Sequence, residues 1–75
     1  MENIPHELYK SLCKKYEADI QEAKSILLIY FEKAVGISDH PNHVDEMDIL
    51  MKNLTEADEK LKMIQRLFNP IYSKL

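Results

Sequence analysis

The chain predicts an all-α protein, a single domain over residues 1–75 built as an antiparallel two-helix hairpin, with two copies closing into a four-helix bundle. Three observations carry this expectation. Two unbroken apolar stripes run at helical spacing, one glycine-bearing segment separates them, and more apolar side chains are present than one hairpin seam can hold.

The first stripe is reached by steps that alternate between four and three residues. It reads Tyr9, Cys13, Tyr16, Ile20, Ala23, Leu27, Tyr30, Ala34, apolar or aromatic at every stop. A 3.5-residue repeat lines one face of a helix, in the seam that coiled coils and bundles use. Helix one is therefore expected over about residues 4–35. Asn3 can cap it, Pro5 fits its opening turn, and Glu7 favours the positive end of the helix dipole.

The segment Val35-Gly36-Ile37-Ser38-Asp39-His40-Pro41-Asn42-His43 then reads as a turn. Gly36 is the only glycine and directly follows the stripe, where a left-handed residue closes a helix at little steric cost. Ser38, Asp39 and Asn42 carry side-chain oxygens suited to capping the next helix. Pro41 fits a first turn, where the missing N–H costs nothing. Asp45, Glu46 and Asp48 follow and complement the dipole.

The second stripe reads Met47, Leu50, Leu54, Ala57, Leu61, Ile64, Phe68, Ile71, Leu75, and predicts helix two over about residues 42–69. Pro70 disfavours helical geometry at Asn69, so the helix is expected to end or kink near Phe68. Paired antiparallel, Tyr9 to Tyr30 and Met47 to Phe68 form the seam. Ala23 and Ala57, near the middle, let the backbones approach or leave room for a bulky side chain of a partner.

Residues off the seam should be polar, and many are not. Leu8, Leu12, Ile26, Leu28, Ile29 and Phe31 flank the first stripe; Val44, Ile49, Met51, Met63, Leu67 and Tyr72 flank the second. The run from Ile26 to Phe31 is apolar around more than a full turn, as in a buried helix. Leu8, Leu12, Ile26, Leu28, Phe31, Met51 and Leu67 are accordingly the expected oligomer or partner interface. The chain has 75 residues and one cysteine, Cys13, which forms no internal disulfide. Helix packing and oligomerisation are left to supply its stability.

Composition narrows the function classes. At 45% hydrophobic and 31% charged residues the chain is too apolar for a disordered tail. A net charge of −3 gives no general attraction to nucleic acid. The longest apolar run, Ile26 to Phe31, is far short of the ~20 residues that span a bilayer. Glu2, Glu7 and Lys10 precede any apolar run, the wrong order for a signal peptide, so a cytoplasmic location is expected.

No cofactor and no enzymatic activity are expected. His40 and His43, with Asp39, Asp45 and Glu46 around them, are weak candidates for a metal site, because imidazole and carboxylate suit divalent ions. A hydrated, helix-capping turn explains the same residues. Catalysis needs a concave pocket and mutually oriented groups, which a two-helix turn does not offer. Tyr9, Tyr16 and Tyr30 read as core aromatics and Cys13 as a small buried hydrophobe.

Charge is unevenly placed. From Ile37 to Glu59 the acids Asp39, Asp45, Glu46, Asp48, Glu56, Asp58 and Glu59 meet only Lys52. From Lys60 onward Lys60, Lys62, Arg66 and Lys74 meet no acid. Helix-dipole complementarity accounts for that order; a polarised docking surface is the sharper reading.

The segments Val35-Gly36-Ile37-Ser38-Asp39-His40-Pro41, Asp45-Glu46-Met47-Asp48 and Ala57-Asp58-Glu59-Lys60-Leu61 resemble small uncharacterised helical-hairpin proteins of tailed phages. The resemblance implies a virus-encoded accessory or assembly protein, and it transfers no catalytic or binding residue. The sequence thus points to a non-enzymatic structural or protein-interaction module that self-associates through its apolar helix faces. The alternatives are a small regulator binding a host protein's groove as a monomeric hairpin and a metal-binding module at His40 and His43.

Overall fold

A computed structural model describes residues 3–32 and 42–72. Helix α1 spans Ile4–Glu32 and helix α2 spans His43–Tyr72. The two pack along their length, and no strand occurs among the described residues. Tyr9 near the start of α1 bonds Asn69 near the end of α2, while Tyr30 near the end of α1 bonds Glu46 near the start of α2. The pairing is therefore antiparallel.

Asn3 caps α1. Its carbonyl accepts from the Glu7 amide at 3.0 Å, and its side-chain oxygen accepts from the His6 amide at 3.1 Å. The first is the opening bond of the helix, and the second satisfies one of the amides left free at a helix start. At α2 the Asn42 carbonyl accepts from the Glu46 amide at 2.9 Å, the first bond of the helix, with Asp45 and Glu46 acidic in its first turn. Gly36, Asp39 and Pro41, the other expected turn residues, lie outside the described residues, as does the expected end of helix one at 35.

One boundary corrects the expectation. Helix α2 does not stop near Phe68 but runs through Pro70 to Tyr72. Proline lacks the N–H that would bond the Arg66 carbonyl, yet it sits within the last turn, where little helix remains to be disturbed. The turn is also anchored from outside. The Tyr72 ring lies 6.1 Å from that of Tyr9 and 6.2 Å from that of Phe68. His6 Nδ1–H donates to the Tyr72 main-chain carbonyl.

The seam is shallow. Tyr9, Cys13, Ala23, Leu27 and Ala57 are buried, and among the described residues no side chain is fully enclosed. Tyr16, Ile20, Tyr30, Met47, Leu50, Leu54, Leu61 and Ile64 are half-buried. Phe68 is 40% exposed and Ile71 58%, while Tyr72, which the spacing placed beside the stripe, is half-buried against Tyr9. A straight helix turns every 3.6 residues, so a strict 3.5-residue stripe drifts by ~20° per heptad. By the end of α2 the inward position has passed from Ile71 to Tyr72.

The result is a rod with principal extents of 56 × 20 × 14 Å and a radius of gyration of 16.8 Å. A compact domain of this length would have a radius of about 11 Å. Accessible surface is 6049 Å², against about 4,800 Å² for a compact chain of this mass.

Candidate interaction surface

Each long face of the rod can be read from its position relative to the seam. Residues immediately preceding a seam residue fall about 100° to one side of it, and residues immediately following fall to the other. On α1 the preceding set is Leu8, Leu12, Lys15, Asp19, Glu22, Ile26 and Ile29; on α2 it is Glu46, Ile49, Asn53, Glu56, Lys60, Met63 and Leu67. These belong to one face of the hairpin. Asp19, Glu22 and Ile26 of the first set and Asn53, Glu56 and Lys60 of the second line a single groove of about 210 Å³, with Ala23 and Ala57 at its floor.

The groove lies over the two alanines of the seam, Ala23 and Ala57, which are buried and whose single methyl groups fill little of the space above them. Larger pairs hold both ends. At one, Tyr9 donates to Asn69 Oδ1 at 2.7 Å. At the other, Tyr30 donates to a Glu46 carboxylate oxygen, and its ring meets that of His43 edge-on at 5.5 Å. Next to the groove, Lys60 Nζ stands 5.9 Å from the centre of the Tyr16 ring, in cation–π range.

Apolar side chains flank this polar middle on both sides. Toward the open end of the hairpin Leu8, Leu12, Met63 and Leu67 are exposed, with Ile4 and Ile71 beyond them. Toward the other end Ile29 and Ile49 are exposed, and Ile26 is half-buried at the groove wall. Of the remaining residues expected at an interface, Leu28, Phe31 and Met51 are also exposed, but they follow seam residues and so lie toward the reverse face.

Several of the hairpin's charges are paired within one helix. Lys15 donates to Asp19 at 2.9 Å, and that carboxylate holds the Lys15 ammonium above its ordinary range. Lys52 pairs with Glu56 at 3.9 Å, and on the reverse face Lys62 pairs with Asp58 at 2.9 Å. These pairs follow i,i+4 spacing and stiffen single helices. Tyr9 is raised above the usual phenol range by burial and by its contact with the Cys13 thiol, and Tyr30 by its bond to Glu46.

His43 sits in the first turn of α2, and its partner in the metal expectation, His40, lies outside the described residues. Among the described residues no three His, Cys, Asp or Glu side chains converge as metal ligands. Among them, too, no helix is long and apolar enough to cross a membrane.

Room above Ala23 and Ala57 was one of two readings of those alanines, and the groove fits it. Two features were not anticipated from sequence, the Asn69 acceptor for Tyr9 and the seat of Tyr72. Asn69 and Tyr72 each follow a stripe position, Phe68 and Ile71, so the drift of the stripe was the signal that would have found them. Compared with family profiles, curated proteins and solved structures, the chain matches none.

Proposed function

We propose that this chain is a non-enzymatic assembly module that self-associates through its grooved face, two hairpins forming a four-helix bundle. The observation that carries the reading is the exposure of large apolar side chains along that face, Leu8 at 64%, Leu67 at 51% and Ile49 at 58% among them. Each forgoes a substantial part of the roughly 1.5–3 kcal/mol that full burial of such a side chain is worth. The surface in excess of a compact chain is roughly 1,200 Å², and a stable interface takes about 800 Å² from each partner. One face-to-face contact of that size would cover about two thirds of it. The resemblance of its turn and seam residues to hairpin proteins of tailed phages supports a virus-encoded accessory or assembly role.

The test is the melting temperature across a dilution series. A self-assembling chain melts lower when diluted, because mass action favours the separated state. A melting temperature independent of concentration points instead to a monomeric hairpin that lays the same face into another protein's groove.

A further inference from the structure

We infer that the two copies stack head to tail, α1 on α1 and α2 on α2, about a two-fold axis crossing the middle of the grooved face beside Asp19. This rests on the self-association proposed above and adds its geometry.

The argument is one of register. Two face-to-face arrangements satisfy two-fold symmetry. In the parallel one, α1 of each copy lies over α2 of the other, and residues meet at the levels they already share across the hairpin. Those levels are set by Tyr9 with Asn69 and by Lys60 with Tyr16. In the head-to-tail one, each helix lies antiparallel on its own counterpart. Apolar contacts do not choose between them. Parallel stacking sets Leu8 on Leu67 and Leu12 on Met63; head-to-tail stacking sets Leu8 on Ile29 and Leu12 on Ile26.

The charges do choose. Parallel stacking brings Lys15 against Lys60 and Asp19 against Glu56, like on like in the centre of the interface. Head-to-tail stacking brings Lys15 against Glu22 of the second copy and Glu56 against its Lys60, and Ile49 against its Leu67. Opposed charges across an interface set register, and juxtaposed like charges exclude the competing one. Reversed about Asp19, the α1 face sets Leu8 on Ile29, Leu12 on Ile26 and Lys15 on Glu22, with a single like pair, Asp19 on its own copy, against the two kinds of like pair of the parallel arrangement. Reversed about the level of Asp58, the α2 face sets Ile49 on Leu67 and Glu56 on Lys60, with Asn53 against Met63 between them.

A single axis serves both helices. Asp19 and Asp58 lie at nearly the same level of the hairpin, since Asp19 shares the groove with Ala57, the residue before Asp58. At the axis the two Asp19 carboxylates approach each other. Each already accepts from its own Lys15, which in turn faces Glu22 of the second copy.

Cysteine cross-linking tests the arrangement, in a Cys13→Ala background of the full chain. Asp19→Cys lies on the axis and should oxidise to a covalent dimer. Leu8→Cys should not, because its two copies are about 33 Å apart along the bundle, far beyond the roughly 7 Å between Cα atoms that a disulfide spans. Leu12→Cys with Ile26→Cys should again cross-link between copies. In parallel, Lys15→Glu should weaken the dimer about tenfold, and adding Glu22→Lys should restore most of that loss. A dimer by solution mass in which Asp19→Cys fails to cross-link, or Leu8→Cys cross-links equally well, overturns the head-to-tail order and leaves self-association standing. A chain that is monomeric by mass overturns both.

Discussion

The grooved face and its reverse are made of the same two helices, yet they are built differently. On the reverse face the residues following the α1 seam are Lys10, Lys14, Glu17, Gln21 and Lys24, and those following the α2 seam include Asp48, Thr55, Asp58, Lys62 and Gln65. Apolar side chains return there only near the turn-proximal end, at Leu28, Phe31, Val44 and Met51. The grooved face carries apolar side chains at both ends and opposed charges in the middle. The reverse face lacks that order: its apolar side chains sit at one end alone. The buried seam beneath is thin, so the face above it is where further burial is to be had.

The contrast can be broken by substitution, beginning at the seam. Leu27→Asp, at a position 6% exposed, should unfold the hairpin by placing an unpaired charge in the seam, at a cost of several kcal/mol. Loss of the helical circular-dichroism signal would register it. Leu8→Glu with Leu67→Glu on the grooved face should abolish the dimer, read as mass by light scattering. Lys14→Glu with Gln65→Glu on the reverse face should leave that mass unchanged. If the reverse-face pair dissociates the protein as readily, the two faces do not differ as interfaces.

Ala57→Leu fills the floor of the groove. Overpacking a close approach typically costs ~1–3 kcal/mol, so the urea midpoint should fall, and the dimer should weaken as the helices spread. The smallest effect is expected from alkali. Tyr9 and Tyr30 are held above their ordinary value of 10.0, and Lys15 and Lys62 above 10.5. Groups raised in the folded state hold their protons longer than in the unfolded chain, so stability falls as pH rises above about 10. The urea midpoint should be flat to that point and then decline, less steeply in Tyr9→Phe, which has no proton to lose at that position.

Both helices and their antiparallel pairing were legible in the alternating three- and four-residue spacing, because burial of a helix face imposes that period directly. The start of α1 was legible too, since Asn3 carries its capping chemistry in its own side chain. The end of α2 was not. Proline's local preference argued for a stop, and the contacts of Tyr72 with Tyr9 and His6, more than sixty residues away in sequence, outweighed it. The groove was legible only as one of two alternatives, close approach or room for a partner's side chain. Alanines at Ala23 and Ala57 announce a close approach, but the space above them depends on how the neighbouring positions splay, which spacing alone does not give. Ile26 shows the same limit: its spacing sets it off the seam, and the structure half-buries it at the groove wall.

Sedimentation equilibrium on the unmodified chain decides whether the hairpin self-associates. Self-association through the grooved face predicts a mass about twice the 8.8 kDa of one chain, dissociating on dilution. A mass that stays at 8.8 kDa up to millimolar concentration would contradict it.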